Sequence, residues 1–209
     1  NAIFSLKPKF QNGNQLLYDH EVVNAFPGGN EYRNFDIKDL EYQSPRIAYI
    51  DQDSIPNRVF LHADEKRTFK RYTSWEDLNG DFIIKNDVAY DSNTEADYVW
   101  VYFTLPFDFP LQNAHLYLAG EFTKYTYDDD RYRLMYDFDK RAFKKRVLLK
   151  NGYYNYVYMR VNHNTSVGQI EYIEGSHFDT NNQYHILVYY YDGYDYYDRL
   201  VGYTYLESH

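Results

Sequence analysis

The side chains best suited to chemistry in this 209-residue chain are its 27 tyrosines, and two groups of them stand out by spacing. Tyr125, Tyr127 and Tyr132 surround the acidic run Asp128-Asp129-Asp130, while Tyr194, Tyr196 and Tyr197 crowd the segment between Asp192 and Asp198. A phenol joins a broad apolar face to one polar hydroxyl. Exposed tyrosines can therefore stack on a sugar face or anchor a protein interface at small entropic cost. Large rings crowded into loops have little packing duty, so these six residues form the candidate interaction or glycan surface.

Other chemistries find no support. The chain has no cysteine, which removes thiol catalysis, disulfides and thiolate zinc sites. Its seven histidines show neither HxH nor HExxH spacing, so no zinc site is assigned. The triple aspartate has the oxygen density that calcium favours but lacks the alternating ligands and distal bidentate carboxylate of a calcium loop. It reads as a solvated hairpin tip. No G-x-S-x-G elbow is present, and no carboxylate pair is singled out by spacing. No catalytic residue, cofactor or metal is assigned, and the expected protein is not an enzyme. A net charge of −9 argues against nucleic acid as the main partner. The one basic cluster, Lys140-Arg141 with Lys144-Lys145-Arg146, reads as a solvated hairpin end.

The elements that must position these rings are strands. Aromatic and β-branched residues suit a pleated, half-buried surface, and runs such as Tyr98-Val99-Trp100-Val101-Tyr102-Phe103 alternate in the strand manner. In the first half, strands are expected over 3–10, 16–23, 32–42, 46–51 and 58–61, and Asn79-Gly80 closes a polar stretch before Phe82-Ile83-Ile84. In the second half strands are expected over 98–105, 115–119, 133–138, 143–149, 153–161, 169–173, 184–191 and 199–205. Asn12-Gly13-Asn14 and Asn151-Gly152 read as tight hairpin turns. Pro27-Gly28-Gly29-Asn30 reads as a structural turn with its glycines in conformations other residues resist. The stretch 64–78 is expected to hold a helical turn or two at most. Ser92-Asn93-Thr94-Glu95 lacks any packing face, and a boundary is expected there. The predicted architecture is all-β, with two β-sandwiches in tandem, one over 1–93 and one over 94–209, and little helix. No stretch approaches the roughly 18 apolar residues of a membrane span. The chain opens Asn1-Ala2-Ile3 with no initiator Met and is read as a fragment whose native start lies upstream.

Two resemblances add to this reading. The second half is similar to early-set immunoglobulin-like glycan-binding modules, through Tyr98–Phe103, then Gly120-Glu121-Phe122-Thr123-Lys124-Tyr125 and the later Asn151-Gly152-Tyr153-Tyr154. Those modules usually carry tryptophan where this chain has Tyr125. The resemblance implies a glycan site using the aromatics around Tyr125. The whole chain resembles the C-terminal part of a Bacteroidota domain-of-unknown-function family that includes the type IX secretion system plug. Its matching blocks are Phe4-Ser5-Leu6-Lys7-Pro8, Phe26-Pro27-Gly28-Gly29-Asn30-Glu31-Tyr32, Asn79-Gly80-Asp81-Phe82, Glu95-Ala96-Asp97-Tyr98, Ile173-Glu174-Gly175-Ser176-His177-Phe178 and Tyr197-Asp198-Arg199-Leu200-Val201-Gly202. This second resemblance implies a periplasmic, outer-membrane-associated, non-catalytic protein whose partner is an outer-membrane β-barrel translocon. It implies no contact residues.

Overall fold

Runs of alternating aromatic and β-branched residues take the strand conformation. The structure, a computed structural model, describes residues 6–20, 26–88, 91, 96–127, 129–165 and 167–208. Its first strands are β1 (Phe10–Asn12), β2 (Gln15–Leu17), β3 (Arg33–Asp36), β4 (Ile47–Asp51), β5 (Arg58–Leu61), β6 (Phe82–Ile84) and β7 (Tyr98–Pro106). They are followed by β8 (Ala114–Ala119), β9 (Arg133–Asp137), β10 (Ala142–Lys150), β11 (Gly152–Asn162), β12 (Gly168–Gln169), β13 (Gln183–Asp192) and β14 (Tyr197–Glu207). Helix among the described residues is confined to a 3-10 turn at Glu121–Thr123 and a single α turn, α1 (Glu171–Glu174). The fold is all-β. No helix among the described residues is long and apolar enough to cross a membrane.

The chain divides into two units, one of residues 29–180 and the other of 1–28 with 181–208. In the larger unit a single sheet runs in the order β12-β11-β8-β9-β10-β7-β5-β4, and β3 and β6 also pair with β11. β7 lies at its heart, antiparallel to β10 from Tyr98↔Lys150 to Pro106↔Ala142 and parallel to β5 on its other side. Period-two alternation sends Val99, Val101, Phe103 and Leu105 inward, all at most 1% exposed. The sheet folds back on itself, so that Phe103 meets Phe35 of β3 and Tyr156 of β11 at ring-centroid distances of 5.5 and 5.2 Å. β11 is buried on both faces. Tyr154, Tyr156 and Tyr158 enter the main core, while Val157, Met159 and Val161 pack with Tyr117 and Ala119 in a second cluster.

Several expectations are corrected here. The boundary expected at 93/94 lies outside the described residues, and strands from both sides of it share one sheet: β5 pairs with β7, and β3 and β6 pair with β11. The contact pattern thus groups 29–93 with 94–180. Asn151-Gly152 is not a hairpin turn, because β10 and β11 are not hydrogen-bonded to each other. It is a corner at which the chain leaves one set of strands and joins another. Asn151, 3% exposed, stitches that corner through bonds to Asp97 and Ile37. Glycine follows it because a Cβ at Gly152 would collide with the carbonyl oxygen of Ile83. The strand expected over 169–173 stops at Gln169, and the chain turns into α1. Residues 64–78, where at most a helical turn or two was expected, stay within that limit: they hold no helix, only a turn closed by Lys70 N–H to Arg67 O.

In the smaller unit, β1 pairs with β2 and β13 with β14, each as a separate two-stranded sheet. The Gly13-Asn14 turn is as expected, with Gly13 at φ 57°. Phe26 lies against Tyr184, with centroids 5.6 Å apart.

Candidate functional site

The hairpin β13–β14 contains the second tyrosine cluster and has more exposed apolar surface than its size can hide. It is paired from Gln183↔Glu207 to Asp192↔Tyr197, with a bulge at Val188/Tyr189 that leaves Val201 as the extra residue. Along β13, Ile186, Val188 and Tyr190 point to one face and Leu187, Tyr189 and Tyr191 to the other; all six are about half exposed. Across from them, Leu200, Tyr203, Tyr205 and Leu206 are exposed to a similar degree. An antiparallel sheet with one face in water normally alternates apolar and polar residues. Here both faces are apolar. Among the described residues each strand has one partner, and no proline or lysine between 183 and 207 blunts the outer edges.

The hairpin is nonetheless locally ordered. Asp192 closes its tip, accepting the amide N–H of Tyr194 on Oδ1 at 2.9 Å and that of Tyr196 on its carbonyl at 2.8 Å. Tyr196 takes a left-handed φ of 55° to complete the turn. Arg199 donates to the Tyr197 hydroxyl at 3.0 Å, and the His185 ring stacks on Tyr203 with 2.8 Å between Nδ1 and the phenol oxygen. At the tip, Tyr194 is 96% and Tyr196 80% exposed, whereas Tyr197 is about half covered. Rings held in place and presented to solvent can bind without paying much rotamer entropy.

The first tyrosine cluster is placed differently. Tyr125 follows Lys124 in a left-handed pair after the 3-10 turn, and its hydroxyl lies 3.1 Å from that of Tyr32. Gly80 leaves the room that this phenol pair occupies, since a Cβ there would strike the Tyr125 hydroxyl. Burial, then the bond to Tyr32, pushes the Tyr125 phenol far above its ordinary pKa. Tyr132 sets its ring edge-on to Phe122 and packs on the main core, and Tyr127 packs on the second cluster. Asp128 lies outside the described residues, while Asp129 and Asp130 pair with Arg131 and Arg133. The two tyrosine clusters belong to different units of the fold. Pro27-Gly28-Gly29-Asn30, expected as a turn, is irregular backbone in which Gly29 takes φ 80° and Gly28 takes no positive φ; the Asn30 amide donates to the Glu174 carbonyl at 3.0 Å.

Sequence reasoning missed a buried ionic cluster in the larger unit. Arg33 donates through Nη1 to Asp64 at 2.9 Å, and its Nε and Nη2 reach Glu174. Arg67 binds the same Glu174 oxygen at 2.7 Å, and Arg46 reaches Asp64 at 2.5 Å. The hydroxyls of Tyr156 and Tyr158 donate to Asp64 Oδ2 at 2.6 and 2.8 Å. The cluster joins β3, β11, α1 and the segment after β5. Burial works against the Arg33 charge, but Glu174 and Asp64 outweigh it and raise its pKa. Its signal in the sequence was parity: Arg33 lies two residues before Phe35 on the same face of β3.

This cluster gives a pH dependence with a definite sign. Burial, reinforced by the Asp64 charge, pushes the Tyr156 and Tyr158 phenols well above the ordinary value. In the unfolded chain they ionise near pH 10. Above that pH the unfolded state loses protons that the folded state keeps, so stability is intact below pH 10 and falls as pH rises beyond it. Each buried phenol contributes a slope of about 1.4 kcal/mol per pH unit. Urea midpoints read by tryptophan fluorescence between pH 8 and 11 are expected to drop steeply above 10, and Tyr158→Phe should flatten the fall by one phenol's share. A midpoint constant over that range contradicts the assignment.

Comparison with known proteins gives a fold relative and no function. No family model matches the sequence, and no curated protein matches it. A crystal structure of a hypothetical protein from Parabacteroides merdae is similar, at 36% identity and a TM-score of 0.86. The match covers 97% of this chain and 51% of that one, so this chain spans about half the length of that relative.

Proposed function

We propose that this is a non-catalytic interaction protein whose docking element is the β13–β14 hairpin. One observation supports the reading: a two-stranded sheet, apolar on both faces and with no further strand partner among the described residues, is marginal in water and becomes stable when covered. A partner gains ring area from the faces and main-chain hydrogen bonds from an added strand at an edge. The resemblance to the secretion-plug family supplies the partner in this proposal, the periplasmic mouth of an outer-membrane β-barrel translocon, and with it a periplasmic location. An early-set immunoglobulin-like character for the sheet of the larger unit belongs to the same proposal.

The test is retention of that barrel, identified by mass spectrometry, from an outer-membrane extract on immobilised protein. Tyr189→Ala and Tyr203→Ala should each weaken retention by about 30-fold, the loss of one central aromatic anchor worth about 2 kcal/mol. Absence of the barrel, or retention by both variants at the level of the unsubstituted protein, would falsify the proposal. The exposure of Tyr194 and Tyr196 favours a second reading, glycan binding at the tip. It requires oligosaccharides to raise the melting temperature saturably and Tyr194→Ala with Tyr196→Ala to remove the rise.

A further inference from the structure

Beside the buried ionic cluster lies an open pocket of about 250 Å³, lined among others by Arg33, Arg46, Asp64, Arg67, Lys70 and Trp75. Glu65 also lines the pocket and is paired with Lys70, but the two buried carboxylates have no acceptor capacity left. Asp64 Oδ1 takes Arg33 and Arg46, and its Oδ2 takes both phenols. Glu174 Oε1 takes Arg33 and the Tyr158 amide, and its Oε2 takes Arg33 and Arg67. Donors remain in surplus. Arg46 bonds only through Nη2, which leaves its Nε and Nη1 without an acceptor among the described residues. Arg67 uses Nε and Nη2, and its Nη1 is likewise unused. A guanidinium carries five N–H donors in a planar fork that matches an oxyanion.

Charge points the same way as the donor count. Arg33, Arg46, Arg67 and Lys70 face three carboxylates, Asp64, Glu65 and Glu174, and Glu65 is itself 67% exposed on its side chain. Burial, and then the neighbouring Arg33 charge, hold the Arg67 guanidinium below its ordinary pKa although Glu174 opposes both. The buried guanidinia of Arg33 and Arg67 are matched by the buried Asp64 and Glu174, Lys70 pairs with Glu65, and the cation in excess is Arg46, 36% exposed on its side chain and lining the pocket. We propose that this pocket binds a small oxyanion, the phosphate, sulfate or carboxylate group of a small ligand, through Arg46, Arg67 and Lys70. Trp75, whose ring lies 5.5 Å from the Arg67 guanidinium carbon, forms its wall.

Trp75 provides the readout. The full chain is titrated with inorganic phosphate, sulfate and acetate in turn, with ionic strength held constant by chloride, and tryptophan fluorescence is followed. A saturable change with at least one of the three is expected, and the anion that gives it assigns the group. Arg46→Ala should weaken that response by about tenfold or more, as loss of a charge-assisted fork requires. Lys70→Ala, at an exposed position, should weaken it less and decides the matter if Arg46→Ala does not fold. No saturable response beyond chloride, or a response that the folded variants leave unchanged, overturns the proposal.

Discussion

Replacing Glu174 by alanine is expected to destabilise the larger unit by about 3–5 kcal/mol, the usual penalty for leaving a buried charge without its partner. Glu174 is fully buried, and its two oxygens serve Arg33, Arg67 and the Tyr158 amide. Without it Arg67 keeps only the Glu31 carbonyl, and Arg33 loses half of its anionic surroundings. For a chain of this size the melting temperature should fall by about 6–20 °C. Glu174→Gln keeps an acceptor for the amide and should cost less. Both tryptophans, Trp75 and Trp100, lie in the larger unit, so fluorescence-detected urea unfolding reads this loss directly. A change below about 1 kcal/mol would mean that water takes over the carboxylate's role.

Phe35→Ala should cost a similar amount, about 3–5 kcal/mol, for a different reason. Phe35 is fully buried where the sheet folds onto itself, stacked on Tyr154 at 5.3 Å and edge-on to Phe103 and Tyr156. Its removal leaves a ring-sized cavity between close-packed aromatic neighbours that cannot all collapse into it. The urea midpoint should fall while the slope of the transition stays constant, since the surface exposed on unfolding is little changed. A retained midpoint would show that the three remaining rings close the gap.

Strand positions were legible in the sequence because alternation is a local property. β5 at Arg58–Leu61 coincides with the segment expected from its β-branched and aromatic run, and β4 and β7 each differ by one residue. What pairs with what was not legible. Asn151-Gly152 has the composition of a hairpin turn, yet its role is set by β6 and by Ile37, partners distant in the chain. The division of the fold was hidden for the same reason, since strands far apart in the sequence complete one sheet. The ionic cluster draws on residues 33, 46, 64, 67, 156, 158 and 174, a set with no spacing rule. Of the tyrosines, those near residue 125 are held by ring packing and by the Tyr32 hydroxyl, contacts that a count of rings in a loop does not reveal. In the group at 194–197, Tyr194 and Tyr196 are exposed and Tyr197 is half covered.

These features separate two roles. In 29–180, rings and paired charges are buried and hold one sheet in register. In β13–β14, the same residue types face solvent on both sides of a thin hairpin, where they contribute little to a core and, in the proposed function, form the contact.

Hydrogen exchange across 183–207, compared between the free protein and its complex with the purified outer-membrane barrel, tests that division of labour most directly. The amides on the outer edges of β13 and β14 should exchange fast in the free protein and become strongly protected on binding, while the interior of β7 and β11 is protected in both. Hairpin amides that exchange at the same rate in both states would contradict the account.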